Sequence, residues 1–241
     1  VVTIAADDAP VDVIVSRSNP DLKPRHSTNY DLSLEYYFNK GEGMLSAAVF
    51  QKDIKGDIFQ LRSLGTFQGQ SAEFRQNINA LSSRVKGLEL SAYLGNMPFL
   101  PAPLDGFGVS GNITFIEGRM VIPTGQNADL SLTTQTLDRR IRQPDLIANA
   151  SLFYSKGGFE ARVSYNLTDK FLLNLNQEEA RYEQVDASLK YDVSDQFQIS
   201  LQGRNLLGTD RRQIANVANF GLLFGETDIG PSYHLSVSFK Y

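Results

Sequence analysis

The feature that most constrains this chain is a hydrophobic period of two, held over stretches too long for an ordinary soluble strand. Tyr30, Leu32, Leu34, Tyr36 and Phe38 fall on one face of an extended segment, with Asp31, Ser33 and Glu35 on the other. The same alternation recurs eight more times. Leu45, Ala47 and Val49 mark one apolar face, Leu88, Leu90, Ala92 and Leu94 the next, and Phe107, Val109, Ile113 and Phe115 a fourth. Leu146 to Tyr154, Phe159 to Leu167, Val185 to Tyr191, Phe197 to Arg204 and Tyr233 to Tyr241 complete the series. Apolar residues never recur at helical spacing over three turns. The nine predicted strands run roughly nine to eleven residues, about twice the usual soluble length and enough for a tilted strand to cross a bilayer core.

The connections alternate as strictly as the residues. Asn39–Gly43, Ser155–Gly158 and Asp192–Asp195 are short turns and Asn96–Asp105 is a somewhat longer, Pro-rich one, whereas Ile54–Arg84, Gly118–Pro144, Lys170–Arg181 and Leu206–Gly230 are long. An up-and-down barrel of the outer membrane joins its strands by short periplasmic turns and longer extracellular loops. Phe38, Phe107, Tyr154, Phe159, Tyr191, Phe197 and Tyr241 lie on the apolar faces at the short-turn ends or the C-terminus. There they would form one aromatic band at the periplasmic interface. The opposite faces carry Asp31, Glu35, Glu160, Arg162, Asp186, Lys190, Gln202 and Arg204, which would face the lumen. The predicted fold is therefore all-β: an antiparallel up-and-down transmembrane β-barrel, of which these are about nine strands. Residues 1–241 form one unit, with 1–18 as a surface loop or partial strand.

Composition removes most other chemistry. Among 241 residues there is no Cys, and His26 and His234 are the only histidines, so disulfides, Cys nucleophiles and multi-His zinc sites are excluded. A formal net charge of −4 lacks the basic footprint expected of a nucleic-acid partner. Mean hydropathy of −0.24 looks soluble, yet a barrel shows lipid only every second residue. Gly106, Gly108 and Gly111 spell GxGxxG inside an alternating strand, the wrong context for a dinucleotide turn. These glycines read as points of curvature or close approach. Asn112, Asn149 and Asn166 begin chance matches to the glycosylation pattern, Asp7-Asp8 reads as a solvated pair, and His234 reads as a structural residue of the polar face. No nucleophile, acid–base pair or cofactor site emerges, so no enzyme and no cofactor are expected. Arg139, Arg140 and Arg142 form a basic cluster in a long connection, a site for an anionic ligand or lipopolysaccharide phosphate, or simply a solvated loop.

Several segments resemble the barrel of TonB-dependent outer-membrane receptors. They are NPDLKPRHSTNYDLSLEYYF (19–38), GMLSAAVFQKDIKGDI (43–58), VKGLEL (85–90), the hairpin from Ala150 to Tyr165, and GRNLLG (203–208) before the last long connection. Arg25 and His26 depart from the family's Glu and Ser or Thr; at a loop–strand junction the departure is read as functionally neutral. The resemblance implies a 22-stranded barrel closed by an N-terminal plug, of which this chain would be the last nine strands. Val1–Ala6 shows neither an initiator Met nor a signal sequence, in keeping with processing or a piece of something larger. The resemblance further implies uptake of a scarce ligand (siderophore, haem, cobalamin or oligosaccharide). The implied partners are outer-membrane lipid, the N-terminal barrel half and plug, TonB, and the barrel assembly machinery. That machinery would read Tyr233, Leu235, Val237, Phe239 and Tyr241. A passive porin-type channel and a soluble β-sandwich binding domain are the alternatives.

Overall fold

The computed structural model describes residues 13–126, 132–217 and 220–239. In chain order the strands are β1 (Val13–Arg17), β2 (His26–Phe38), β3 (Gly43–Lys55), β4 (Ile58–Phe67), β5 (Gln70–Asn79) and β6 (Ser82–Leu94). They continue with β7 (Phe107–Gln126), β8 (Leu132–Leu137), β9 (Leu146–Lys156), β10 (Phe159–Thr168), β11 (Phe171–Leu172) and β12 (Gln177–Glu179). The last five are β13 (Tyr182–Ser194), β14 (Phe197–Arg204), β15 (Arg211–Val217), β16 (Phe220–Thr227) and β17 (Ser232–Phe239). Among the described residues no helix is long and apolar enough to cross a membrane.

One large sheet runs β2-β3-β6-β7-β9-β10-β13-β14-β17, each strand antiparallel to its neighbour. These are the nine strands read from the alternation. The register keeps the faces separate across the whole sheet. Leu32 lies opposite Val49, Val49 opposite Leu88, and Leu88 opposite Phe115. Leu152 meets Val163, Val163 meets Ala187, and Leu201 meets Leu235. Because a slip of one residue would exchange the faces, this continuity pins the register. The apolar face is also the open one: Leu32, Leu34, Val163 and Leu235 are 72, 76, 50 and 71% exposed. A sandwich would bury such a face; a membrane barrel turns it to lipid. Among the described residues the sheet is not closed: β2 pairs only with β3, and β17 only with β14.

Turn chemistry sets the short-turn end. Gly157 and Gly158 have φ of 61° and 76°, the left-handed pair that a two-residue hairpin needs, and they link Lys156 to its register partner Phe159. At the next turn Ser194 Oγ accepts the Gln196 and Phe197 N–H groups at 3.3 and 3.1 Å. The aromatic band assembles here: the Phe107 and Tyr154 rings sit 5.0 Å apart, Tyr154 and Phe159 6.0 Å, and Phe197 faces Phe239. Tyr241 lies outside the described residues.

The long connections are not open loops. They fold into β4–β5, the end of β7 with β8, β11–β12 and β15–β16, with β1 adding in parallel to β5. Chain of this length cannot leave its backbone donors and acceptors unpaired when packed, so it makes strands of its own. These pieces enclose the core of the described structure: Phe59, Ala80, Met120 and Ile122 are at most 4% exposed, with Leu61, Ile78, Leu137, Ile141 and Leu175 against them. Met120 and Ile122 continue the even-numbered, polar side of β7, so this layer folds over the polar face. Val13–Arg17 joins the same layer, where the Arg17 guanidinium lies 3.9 Å from the Phe74 ring centre; Asp7-Asp8 falls outside the described residues.

Candidate functional site

The layer built by the long connections holds a cavity of about 520 Å³. Arg25 enters it from the approach to β2, Arg62 from β4, Asn77 from β5, Arg140 and Arg142 from the segment after β8, and Asn174 and Gln177 from the β11–β12 turn. A buried ion pair organises it. Asp57, 1% exposed, accepts Arg140 Nε at 2.7 Å and a second guanidinium nitrogen at 2.9 Å. Arg25 stands 3.6 Å from the same carboxylate. The Asp57 carbonyl also takes the Ala80 N–H at 2.6 Å, closing the base of β4–β5. Burial would raise the Asp57 carboxyl, but the hydrogen bonds and charge of Arg140, with Ser83 and the Ile58 N–H, outweigh it and hold the group below its usual value.

The three arginines of the predicted cluster separate. Arg139 braces the outside, 3.0 Å from Asp145 and 3.6 Å from Glu178. Arg140 is the partner of Asp57, so it is not part of a solvated loop. Arg142, with φ of 61° and its N–H on the Leu172 carbonyl at 2.6 Å, lines the cavity. Arg25, read from sequence as a neutral departure, lines it too. Asp57, Arg62, Asn174 and Gln177 were not singled out in the sequence; their only signal is position in long connections, since Asp57 and Arg140 lie 83 residues apart.

Along the nine-strand sheet the polar face forms a wall. Glu160 and Lys190 are register partners 3.0 Å apart, and the Arg162 guanidinium lies 4.9 Å from the Phe153 ring centre. Asp186 accepts Gln184 Nε2 at 2.7 Å and the Asn205 N–H at 2.9 Å. Gln202 pairs in register with Ser188 and His234, and Arg204 with Ser232. Arg162, Asp186, Gln202 and Arg204 share one concavity. Asp31 and Glu35 stand apart on β2, Asp31 opposite Phe50 and Glu35 accepting the Tyr37 hydroxyl. On the apolar face, Tyr233, Leu235, Val237 and Phe239 lie opposite Gly203, Leu201, Ile199 and Phe197. The GxGxxG glycines run from the turn before β7 (Gly106) into its start, where a Cβ on Gly108 would overlap the Phe153 ring and the Gly95 carbonyl; this is close approach, not a phosphate cradle.

The family model described as "TonB dependent receptor-like, beta-barrel" matches residues 5–206. The chain belongs to that family. A curated relative, the "probable hemoglobin and hemoglobin-haptoglobin-binding protein 4" of Haemophilus influenzae, is 31% identical over 112 residues, 42% of this chain and 11% of its own length. Among solved structures, the siderophore receptor PiuA of Acinetobacter baumannii superposes with a TM-score of 0.61 at 18% identity, covering 89% of this chain and 28% of that one. The copper transporter OprC gives 0.60 at 18%, covering 92% and 33%. The ferric-catecholate import receptor Fiu of E. coli K12 gives 0.58 at 17%, covering 92% and 28%. The chain therefore spans about a third or less of the length of these relatives. These are proteins of the Gram-negative outer membrane. In a TonB-dependent receptor barrel the apolar face meets lipid, and the soluble-sandwich alternative falls with it. The family comprises transport receptors, not enzymes.

Proposed function

We propose that this chain supplies part of the barrel of an outer-membrane receptor that takes up a scarce ligand by TonB-coupled active transport. One observation carries the reading: the long connections build a polar cavity that meets the polar side of β7 at Met120, in a sheet whose other face is apolar and exposed. Ligand captured in the cavity would next meet the wall formed by Glu160, Arg162, Asp186, Lys190, Gln202 and Arg204. There charged and amide groups would hold a plug by hydrogen bonds that can be broken and remade. Asp31 and Glu35 would extend this lumenal surface toward β2. The plug, the N-terminal barrel half and the contact with TonB would belong to the rest of the receptor, and the β2 edge awaits its neighbouring strands. The strand Tyr233–Tyr241 would serve the barrel assembly machinery. Relatives whose names cite siderophores, copper and haemoglobin agree on uptake or capture and differ in cargo.

The test is uptake in the source bacterium. Deleting the gene should abolish accumulation of the cognate nutrient at low external concentration. Collapsing the inner-membrane proton gradient, or deleting TonB, should do the same. Uptake that persists without the gradient would replace this reading with a passive channel.

A further inference from the structure

The long-connection end of the apolar face carries charges that the transport reading does not use. Register sets the outward side chains of β3, β6 and β7 in rows. Val49, Leu88 and Phe115 form one row, with Leu32 of β2 beside it. The next row toward the long connections is Gln51, Lys86 and Glu117, and the one after it is Asp53, Arg84 and Arg119. Arg84 and Arg119 are therefore direct cross-strand partners, with Cβ atoms about 5 Å apart, an arrangement that repulsion penalises and a bridging anion relieves. Arg84 gives its Nε to Asp53 at 2.6 Å and stays 60% exposed. Arg119 is exposed and makes no ion pair among the described residues. Lys86 meets Glu117 at 3.0 Å. With Lys55 further along β3, four cations share the outward positions of these three strands with two carboxylates.

A groove of about 740 Å³ runs between the first two rows. Leu32, Val49, Leu88 and Phe115 line one side of it, Lys86 and Glu117 the other, and the backbone of the row between them, at Gly87, supplies the floor. The groove is thus apolar toward the bilayer and charged toward the long connections. We infer that this face holds one phosphorylated, acylated glycolipid of the outer leaflet, its phosphate between Arg84 and Arg119 and an acyl chain in the groove. The site belongs to the receptor's bilayer and not to its cargo, so it stands whatever ligand is taken up. Guanidinium forks present paired N–H donors that match phosphate oxygens. Depth agrees with the assignment. Leu88 to Arg84 is about 13 Å along the strand and roughly 10 Å along the bilayer normal at the usual tilt. That puts Leu88 in hydrocarbon and both arginines among headgroups. Lys86, at the rim of the groove, lays its stem along apolar surface and keeps its ammonium in the same polar layer.

The experiment uses the purified full-length receptor in detergent, with bound lipid read by native mass spectrometry. The probes are bisphosphorylated lipid A, its dephosphorylated form and inorganic phosphate. Bisphosphorylated lipid A should bind about tenfold or more tighter than the dephosphorylated form. Arg84→Gln and Arg119→Gln should each weaken its binding about fivefold. Val49→Trp, which fills the groove, should weaken it as well. Arg181→Gln, an exposed arginine at the long-connection end of β13, should leave it unchanged. Outer-membrane levels of each variant, read by immunoblot, guard against misassembly. Equal binding of the two lipid forms, Arg84 and Arg119 variants that hold lipid A like the parent, or an equal loss from Arg181→Gln overturns the inference. Inorganic phosphate that competes as well as lipid A marks a site for a free anion and overturns it too.

Discussion

Replacing Asp57 by Ala in the full-length receptor tests whether one buried pair holds the long connections together. The substitution strands Arg140, whose side chain is only 21% exposed, and frees Arg25 from its 3.6 Å contact. It also removes the acceptor of the Ile58 N–H at 3.1 Å. Breaking one side of a buried pair costs roughly 3–5 kcal/mol, and the partial exposure of Arg140 places this case near the lower end, about 3 kcal/mol. The loss is local, because Arg25, Ile58 and Arg140 all lie outside the lipid-facing sheet, which meets Asp57 only at Ser83 near the start of β6. Local opening should rise by roughly a hundredfold, as each 1.4 kcal/mol is a factor of ten. Native-state hydrogen exchange with mass spectrometry reads this directly. Peptides spanning 58–80 and 138–145 should exchange about that much faster, while β10 and β13 stay at parental rates. Asp57→Ala combined with Arg140→Ala should cost at least ~1 kcal/mol less than the sum of the single changes, since the stranded charge is gone. Exchange within about twofold of parent in those peptides, or strict additivity, would refute the reasoning.

Val163→Arg should cost roughly 2–4 kcal/mol of barrel stability, as Val163 lies mid-strand on the lipid face, whereas Ser164→Arg on the polar face should cost far less; urea unfolding in lipid vesicles compares them. Gly87→Ala should destabilise by about 1–3 kcal/mol, because its Cβ would sit 2.5 Å from the Phe115 carbonyl and from the Phe50 ring, and lowered heat resistance of the assembled receptor would show it. The Asp57 carboxyl titrates below its unfolded value, so its stabilisation is complete above the ordinary carboxylate range and lost as pH falls through the depressed value. Exchange of 58–80, corrected for intrinsic rates, should therefore rise only on the acid side, and Asp57→Asn should remove that dependence.

The short-turn half of the molecule was legible because its physics is local. A strand that meets lipid on one side and water on the other must alternate, so Phe159 to Leu167 announces both its conformation and its faces. Gly157-Gly158 announces its hairpin for the same reason: no other pair adopts two left-handed conformations so cheaply. The nine-strand order followed, since each short turn forces neighbours to pair.

The long-connection half was not legible, because its stability comes from contacts between segments remote in sequence. Nothing near Asp57 indicates that Arg140 is its partner, and nothing near Arg139, Arg140 and Arg142 says that one braces the outside, one is buried and one faces a cavity. Arg25 looked like a neutral departure from a pattern, and only the folding of β4–β5 over the approach to β2 places it at Asp57. What the sequence alone determined is the periodic part, where every residue faces either lipid or the polar interior and the period of two records which. What the tertiary structure alone decided is the cavity, where charge finds charge across 83 residues of chain and no period records the meeting.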